Sequence, residues 1–179
     1  MSKAVATPVG VLTLVATGTG LRRVLWADSR PNDVADAPDH AILRLAETEL
    51  TRYFAGELRR FAVPLDLDGS AFQRRVWTAV AGVPYGQTAT YADIARSLGV
   101  PRGARAVGSA NGRNPVPIVV PCHRLIGSDG ALRGFGGGLA VKERLLAHEA
   151  RLRCNRQRNA PRNDRCDGDV GAEIWTSAP

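Results

Sequence analysis

Chemistry is concentrated around residue 122. Pro121-Cys122-His123-Arg124 sets a thiol beside an imidazole and a guanidinium, directly after the apolar run Val116–Val120. A cysteine in such a run is most often a buried packing group, but cationic neighbours lower a thiol's pKa toward the nucleophilic thiolate. Successive side chains of an extended segment point to opposite sides, so His123 reaches Cys122 only through a turn or a bridging water. Glu149, near the end of the last predicted helix, supplies a carboxylate that can orient His123 as the third member of a thiol–imidazole–carboxylate relay. On an acyl substrate such a set would make a cysteine hydrolase, which also needs an oxyanion hole and a cleft. A zinc site built from the three cysteines with His123 and His148 is disfavoured. No Cys-x-x-Cys pair exists, and Cys154 and Cys166 lie in a polar C-terminal stretch.

The elements that must position these groups fall into two halves. Val9–Leu14 and Leu21–Trp26, separated by Thr17-Gly18-Thr19-Gly20, read as an antiparallel hairpin. Ser29–Asp39, polar and with two prolines, reads as loop. His40–Phe54 carries Ile42, Leu45, Ala46, Leu50 and Phe54 at helical spacing and ends near Gly56, while Phe61–Leu67 alternates as a strand does. Asp68-Gly69-Ser70 follows as a linker. In the second half a helix is predicted over Ala71–Val80, and Thr90 with Asp93 forms a capping box that opens the next. Gly99 stops that helix, and a further one runs from about Pro101 to Ala110. Two short helices joined by a glycine turn fit a helix-turn-helix, and a packed helical pair fits the pattern equally well. The second of them interleaves Gly103, Ala104, Ala106, Gly108, Ser109 and Ala110 with Arg102 and Arg105, so its backbone can approach a groove closely. Val116–Val120 is expected to be a buried extended segment, Gly134–Gly138 a loop around Phe135, and Leu139–His148 a helix with Leu139, Leu145 and Leu146 inward. The residues from Ala150 onward, rich in Arg, Asn and Asp, are expected to be largely disordered.

Charge separates the halves further. Residues 1–70 hold 8 Lys and Arg against 9 Asp and Glu, whereas residues 71–150 hold 10 against 4, which points to a polyanion partner for the second half. A solvated basic face would give the same bias. No apolar run approaches the length of a membrane span, and the N-terminus lacks a secretory signal. An odd count of three cysteines argues against a disulfide framework and for a reducing, cytoplasmic setting.

Taken together in order, Asn114-Pro115-Val116-Pro117-Ile118-Val119-Val120-Pro121-Cys122-His123-Arg124, then Gly136-Gly137-Gly138-Leu139, Lys142, Leu145-Leu146 and Glu149, resemble the O6-alkylguanine-DNA alkyltransferases. Phe72-Gln73-Arg74-Arg75-Val76-Trp77 and Pro84-Tyr85-Gly86 extend the match over residues 71–149. Tyr53-Phe54-Ala55-Gly56-Glu57 carries a weaker likeness over residues 1–68. The resemblance implies an α/β (α+β) protein with a ribonuclease H-like N-terminal domain (1–68), a helical DNA-binding and alkyl-acceptor domain (71–149) and a tail (150–179). It implies a monomer without cofactor or metal. Its partner is double-stranded DNA, bound through the minor groove with an O6-alkylguanine flipped out.

By the same resemblance Cys122 accepts the alkyl group once per molecule, His123 takes its proton through water, Glu149 orients His123, and Asn114 braces the turn. Arg105 fills the gap left by the base, with Ala104, Ala106, Gly108 and Ser109 along the groove. Tyr91 turns the nucleotide and helps protonate the departing guanine, backbone groups around Val120 and Cys122 read its edge, and Phe135 and Gly136 cover it. Phe135 departs from the family's usual tyrosine and loses a hydroxyl. An alkyltransferase-like damage sensor would lack the cysteine, and relatives that regulate transcription carry a cysteine-rich zinc domain absent from this sequence.

Overall fold

Hydrophobic alternation near the N-terminus folds into an antiparallel meander. The computed structural model describes residues 1–26 and 34–159. Strands β1 (Ser2–Thr7), β2 (Gly10–Ala16) and β3 (Leu21–Trp26) lie in the order β1-β2-β3, so β2 is central and buried from Leu12 to Ala16. The expected hairpin is β2–β3, and β1 is an additional strand on its far side, in register Val5 to Leu12.

Helix α1 (Ala41–Ala55) packs on this sheet and ends at Gly56, whose φ of 81° is the left-handed conformation that a C-terminal glycine adopts without strain. Its inward face is Leu43, Ala46, Leu50 and Tyr53, rotated from the expected one, and Leu45 is exposed. The predicted strand over Phe61–Leu67 does not form. Pro64 has no N–H for a ladder, and the segment's backbone bonds to the sheet at Leu21, which donates to Pro64 O (2.8 Å) and accepts from Asp66 N (3.0 Å), while the Asp66 side chain pairs with Arg22 of β3. Buried Glu49 holds it instead by accepting from Ala62 N and Val63 N.

The second half is helical. Helix α2 (Ala71–Ala81) opens with a capping box between Ser70 and Gln73 and buries Val76, Trp77 and Val80. A short strand β4 (Ala89–Thr90) precedes α3 (Tyr91–Ser97), which the Thr90–Asp93 capping box opens as its sequence predicts. Helix α4 (Ala104–Gly112) starts three residues after Pro101, with Gly103 as its N-cap. It packs on α2 and on α3, and α3 with α4 is the helix pair of the sequence reading.

Val116–Val120 is buried but not extended. It is a tight turn in which Val120 N donates to Val116 O (3.0 Å) and Ile118 takes φ 75°, an unfavourable conformation for a β-branched residue. A 3-10 turn (Cys122–Arg124) leads into β5 (Leu125–Ile126), parallel to β4. Helix α5 runs from Leu139 to Asn159, well beyond His148, so residues 150–159 are helical rather than disordered. Leu139 is exposed, and Leu145 carries the buried contact. The loop expected over residues 29–33 and the tail expected over 160–179 fall outside the described residues. Among those described, no helix is long and apolar enough to cross a membrane.

Candidate active site

The turn over residues 116–122 is shaped by one side chain. Asn114 Nδ2 donates to Val120 O (2.8 Å), and its Oδ1 accepts from Val116 N (3.1 Å), tying both ends of the turn together. Pro121 (φ −80°, ψ 62°) then makes an inverse γ-turn closed by Cys122 N to Val120 O (2.8 Å). The chain thus enters the 3-10 turn with Cys122 at its first position, next to a cavity of about 360 Å³. Arg23–Trp26 of β3, Asn111, Pro117, Phe135 and Gly136 line that cavity with Cys122.

His123 and Arg124 turn away from the thiol and converge on Glu149, which is fully buried on α5. His123 Nε2 lies 2.9 Å from Glu149 Oε1. Arg124 donates from Nη2 to Oε1 (2.9 Å) and from Nε to Oε2 (3.0 Å), and its Nη1 reaches Val83 O (2.6 Å). Two more donors complete the cradle: Tyr53 Oη from α1 (2.8 Å) and Gly86 N (2.9 Å). Burial alone would raise the Glu149 pKa. The hydrogen bonds from His123 and Arg124 overcome it and hold the carboxyl at about 2.

A carboxylate at Oε1 requires the proton of neutral His123 on Nε2. Its Nδ1 is then a lone-pair acceptor, buried and without a protein partner. Burial lowers the His123 pKa, so the imidazole is neutral near pH 7. The thiol behaves opposite to the sequence reading. Burial pushes Cys122 up to about 11, and the groups that favour its anion are Asn114 and Lys142 rather than the adjacent His123 and Arg124. Lys142 is itself buried, donating to Leu125 O (2.5 Å) and Arg133 O (2.9 Å).

A second, open cavity of about 900 Å³ is lined by Tyr91, Ala104, Arg105, Gly108 and Arg133. It shares Gly112, Gly134, Phe135 and Gly136 with the Cys122 cavity, so the α3–α4 surface leads to the thiol around the Phe135 loop. Burial, and then the nearby Cys122, raise the Tyr91 pKa and keep it a neutral phenol. Ala106 and Ser109 are exposed on α4 and border neither cavity. Val120 lies behind the turn on a different groove, and its carbonyl is already engaged by Asn114 and Cys122. Among the described residues no group of three or more His, Cys, Asp or Glu is placed to hold a metal.

The sequence matches two family models, the DNA-binding domain of 6-O-methylguanine DNA methyltransferase over residues 71–151 and its ribonuclease-like domain over residues 3–67. The chain belongs to the 6-O-methylguanine DNA methyltransferase family. It is 47% identical to a methylated-DNA–protein-cysteine methyltransferase of Mycolicibacterium paratuberculosis over 83% of this chain and 92% of that protein. A namesake from Methanosarcina acetivorans is 43% identical over 79% and 93%. The crystal structure of Mycobacterium tuberculosis OGT in complex with DNA superposes with a TM-score of 0.79 at 43% identity, covering 84% of this chain and 93% of that one.

Within this methyltransferase fold, the motif residues Asn114, Cys122, His123 and Glu149 assemble as one site. Sequence reasoning assigned no role to Tyr53, Asn111 or Lys142. Tyr53 lies 96 residues from its partner Glu149, and only its place in the Tyr53-Phe54-Ala55-Gly56-Glu57 stretch hinted at it. Asn111 donates to Cys122 O (3.4 Å) from the buried side of α4. Lys142 stands in the family motif, the one signal that could have found it.

Proposed function

We propose that this protein repairs DNA by moving an alkyl group from O6 of a flipped-out guanine to Cys122 Sγ, once per molecule. The observation that carries the reading is Cys122 at a cavity contiguous with the Tyr91–Arg105 trough, backed by a histidine whose Glu149-fixed tautomer leaves Nδ1 free.

The step balances as follows. The Cys122 proton passes through a water to His123 Nδ1, Sγ bonds to the alkyl carbon, and the C–O6 bond breaks with its electron pair going to guanine. Tyr91, kept neutral, supplies the proton that quenches the developing charge and regains one from the His123 imidazolium through water, so the thiol's proton ends on guanine. The thioether product has no route back to thiol, which makes the reaction single-turnover. Arg105 enters the duplex where the base leaves, Ala104 and Gly108 let α4 approach the minor groove, and Phe135 with Gly136 covers the base.

Phe135 has no hydroxyl to offer a bond there, so it acts through its ring alone. Ala106 and Ser109, on the exposed side of α4, lie along the groove as small residues. Val120 shapes the turn. Residues 1–68 and 71–149 are read as separate domains, with 150–179 outside both. The protein works as a monomer, without cofactor or metal, in the reducing cytoplasm.

Intact-mass and peptide mass spectrometry after mixing with duplex DNA bearing one O6-methylguanine tests this. One methyl per protein on Cys122, absent in Cys122→Ala, is expected. No mass gain alongside tight binding would make the protein a damage sensor instead.

A further inference from the structure

The Cys122 cavity has a wall that the alkyl-acceptor half does not supply. Strand β3 is locked to the active-site segment by Val24 N donating to Pro115 O (2.9 Å), and this delivers Trp26, the strand's last residue, to the cavity opposite the 116–122 turn. The half-buried indole stands edge-on to Phe135, with ring centroids 5.5 Å apart and planes at 67°. It also occupies the space over the glycine loop. A Cβ at Gly137 would lie 2.7 Å from the indole ring, and one at Gly136 would lie 3.5 Å from its Nε1. The glycines at 136 and 137 therefore admit a ring from the other domain where their own side chains would stand.

We propose that Trp26 is a specificity-determining residue: it closes the N-terminal side of the acceptor cavity and limits the size of the alkyl group that Cys122 can take. This rests on the alkyl-transfer reading above. Whatever is bonded to O6 must fit in the space that Trp26, Phe135, Pro117 and Cys122 bound while Sγ is in line with the reacting carbon. A methyl group needs little of that space, whereas a flat benzyl group needs a slot as wide as a ring. Backed by Trp26, Phe135 cannot retreat to open one.

The experiment measures single-turnover transfer to the full chain from two duplexes, identical except for O6-methylguanine or O6-benzylguanine at one position. Steps common to the two, such as docking on the duplex, then cancel in the rate ratio. Trp26→Ala is expected to raise the benzyl-to-methyl ratio by about tenfold or more, since differences of one or a few carbon groups in a pocket are worth that much. Trp26→Phe, which keeps a smaller ring and guards against a misfolded alanine variant, is expected to give an intermediate rise. A ratio unchanged in both variants, or falling in either, overturns the proposal, even where both rates drop together as a merely structural role would have it. If the unsubstituted protein takes up no methyl at all, the alkyl-transfer reading fails, and that outcome is distinct.

Discussion

Replacing His123 by glutamine separates a base from a spacer. The glutamine amide keeps a donor for Glu149 in place of Nε2–H but has no lone pair able to take a proton at neutral pH. With Cys122 at about 11, a free thiolate at about pH 7.5 is present in roughly one molecule in 3,000, a deficit of about 5 kcal/mol. With His123 accepting the proton as sulfur attacks, as proposed, that deficit would not be met in full. Because burial lowers the His123 pKa below its ordinary value, the imidazole is neutral above pH 7, and the parent rate is expected to be nearly flat between about pH 7 and 9. His123→Gln is expected to lose about 10²- to 10⁴-fold at pH 7.5. Its rate should also rise about tenfold per pH unit over the same window, since hydroxide must then generate the thiolate. Rapid-quench single-turnover kinetics on an O6-methylguanine duplex, with the thermal melt as a folding control, would show both effects. A variant within about threefold of the parent and flat in pH would refute the assignment of His123 as the base, and with it the weight placed on its unpartnered Nδ1.

Three further outcomes follow from the same cluster. Glu149→Gln leaves the buried Arg124 guanidinium without its anion and is expected to cost about 3–5 kcal/mol, read as a lowered Tm. The Glu149 carboxyl is held at about 2 against an ordinary 4.5, so it contributes about 3 kcal/mol of stability above pH 4.5 that is lost as pH falls toward 2. Stability of the parent should therefore decline over that window more steeply than that of Glu149→Gln. Tyr53→Phe removes a donor to a buried charge and is expected to cost about 1.5–3 kcal/mol in urea melts. It should slow methyl transfer while leaving affinity for an undamaged duplex unchanged. Methylating Cys122, which is only 6% exposed in a closely packed turn, is expected to lower stability by about 1–3 kcal/mol through overpacking. Equal melting temperatures for the free and methylated forms would count against that.

What the sequence revealed depended on how locally each feature is encoded. The Thr90–Asp93 cap and the stop at Gly56 are contacts within a few residues and were legible. Asn114, Cys122, His123 and Glu149 were legible because their order and spacing form a recognisable motif. The turn at 116–120 was read as extended because Val and Ile favour extended backbone. Nothing local announces that Asn114 pulls the segment closed and drives Ile118 to positive φ. The apparent strand at 61–67 failed for the opposite reason, since its alternation ignores that Pro64 cannot donate. The thiol's pKa is not legible from the sequence because adjacency along the chain is not contact. His123 and Arg124 neighbour Cys122 in sequence, but His123 Nε2 and Arg124 Nε and Nη2 meet Glu149 rather than the thiol. Tyr53 and Trp26 come from the N-terminal half, and no spacing rule connects them to residue 122.

That half is also what makes the buried relay electrostatically workable. Ionising Cys122 alone places a negative charge out of water that Asn114 and Lys142 only partly offset, which is why its pKa rises. Passing the proton to His123 changes no net charge, because a thiolate and an imidazolium appear together. Glu149 can stabilise that imidazolium only while remaining a carboxylate, and Arg124, Gly86 N and Tyr53 Oη hold it in that form. His123 and Arg124 are the two side chains that hold the Glu149 carboxylate against burial, so without Arg124 its pKa would rise. Arg124 thus serves the thiol through Glu149 rather than by its own proximity. Tyr53 extends that dependence into the N-terminal domain, so a domain with no reactive group of its own still helps set the protonation state of the acceptor site.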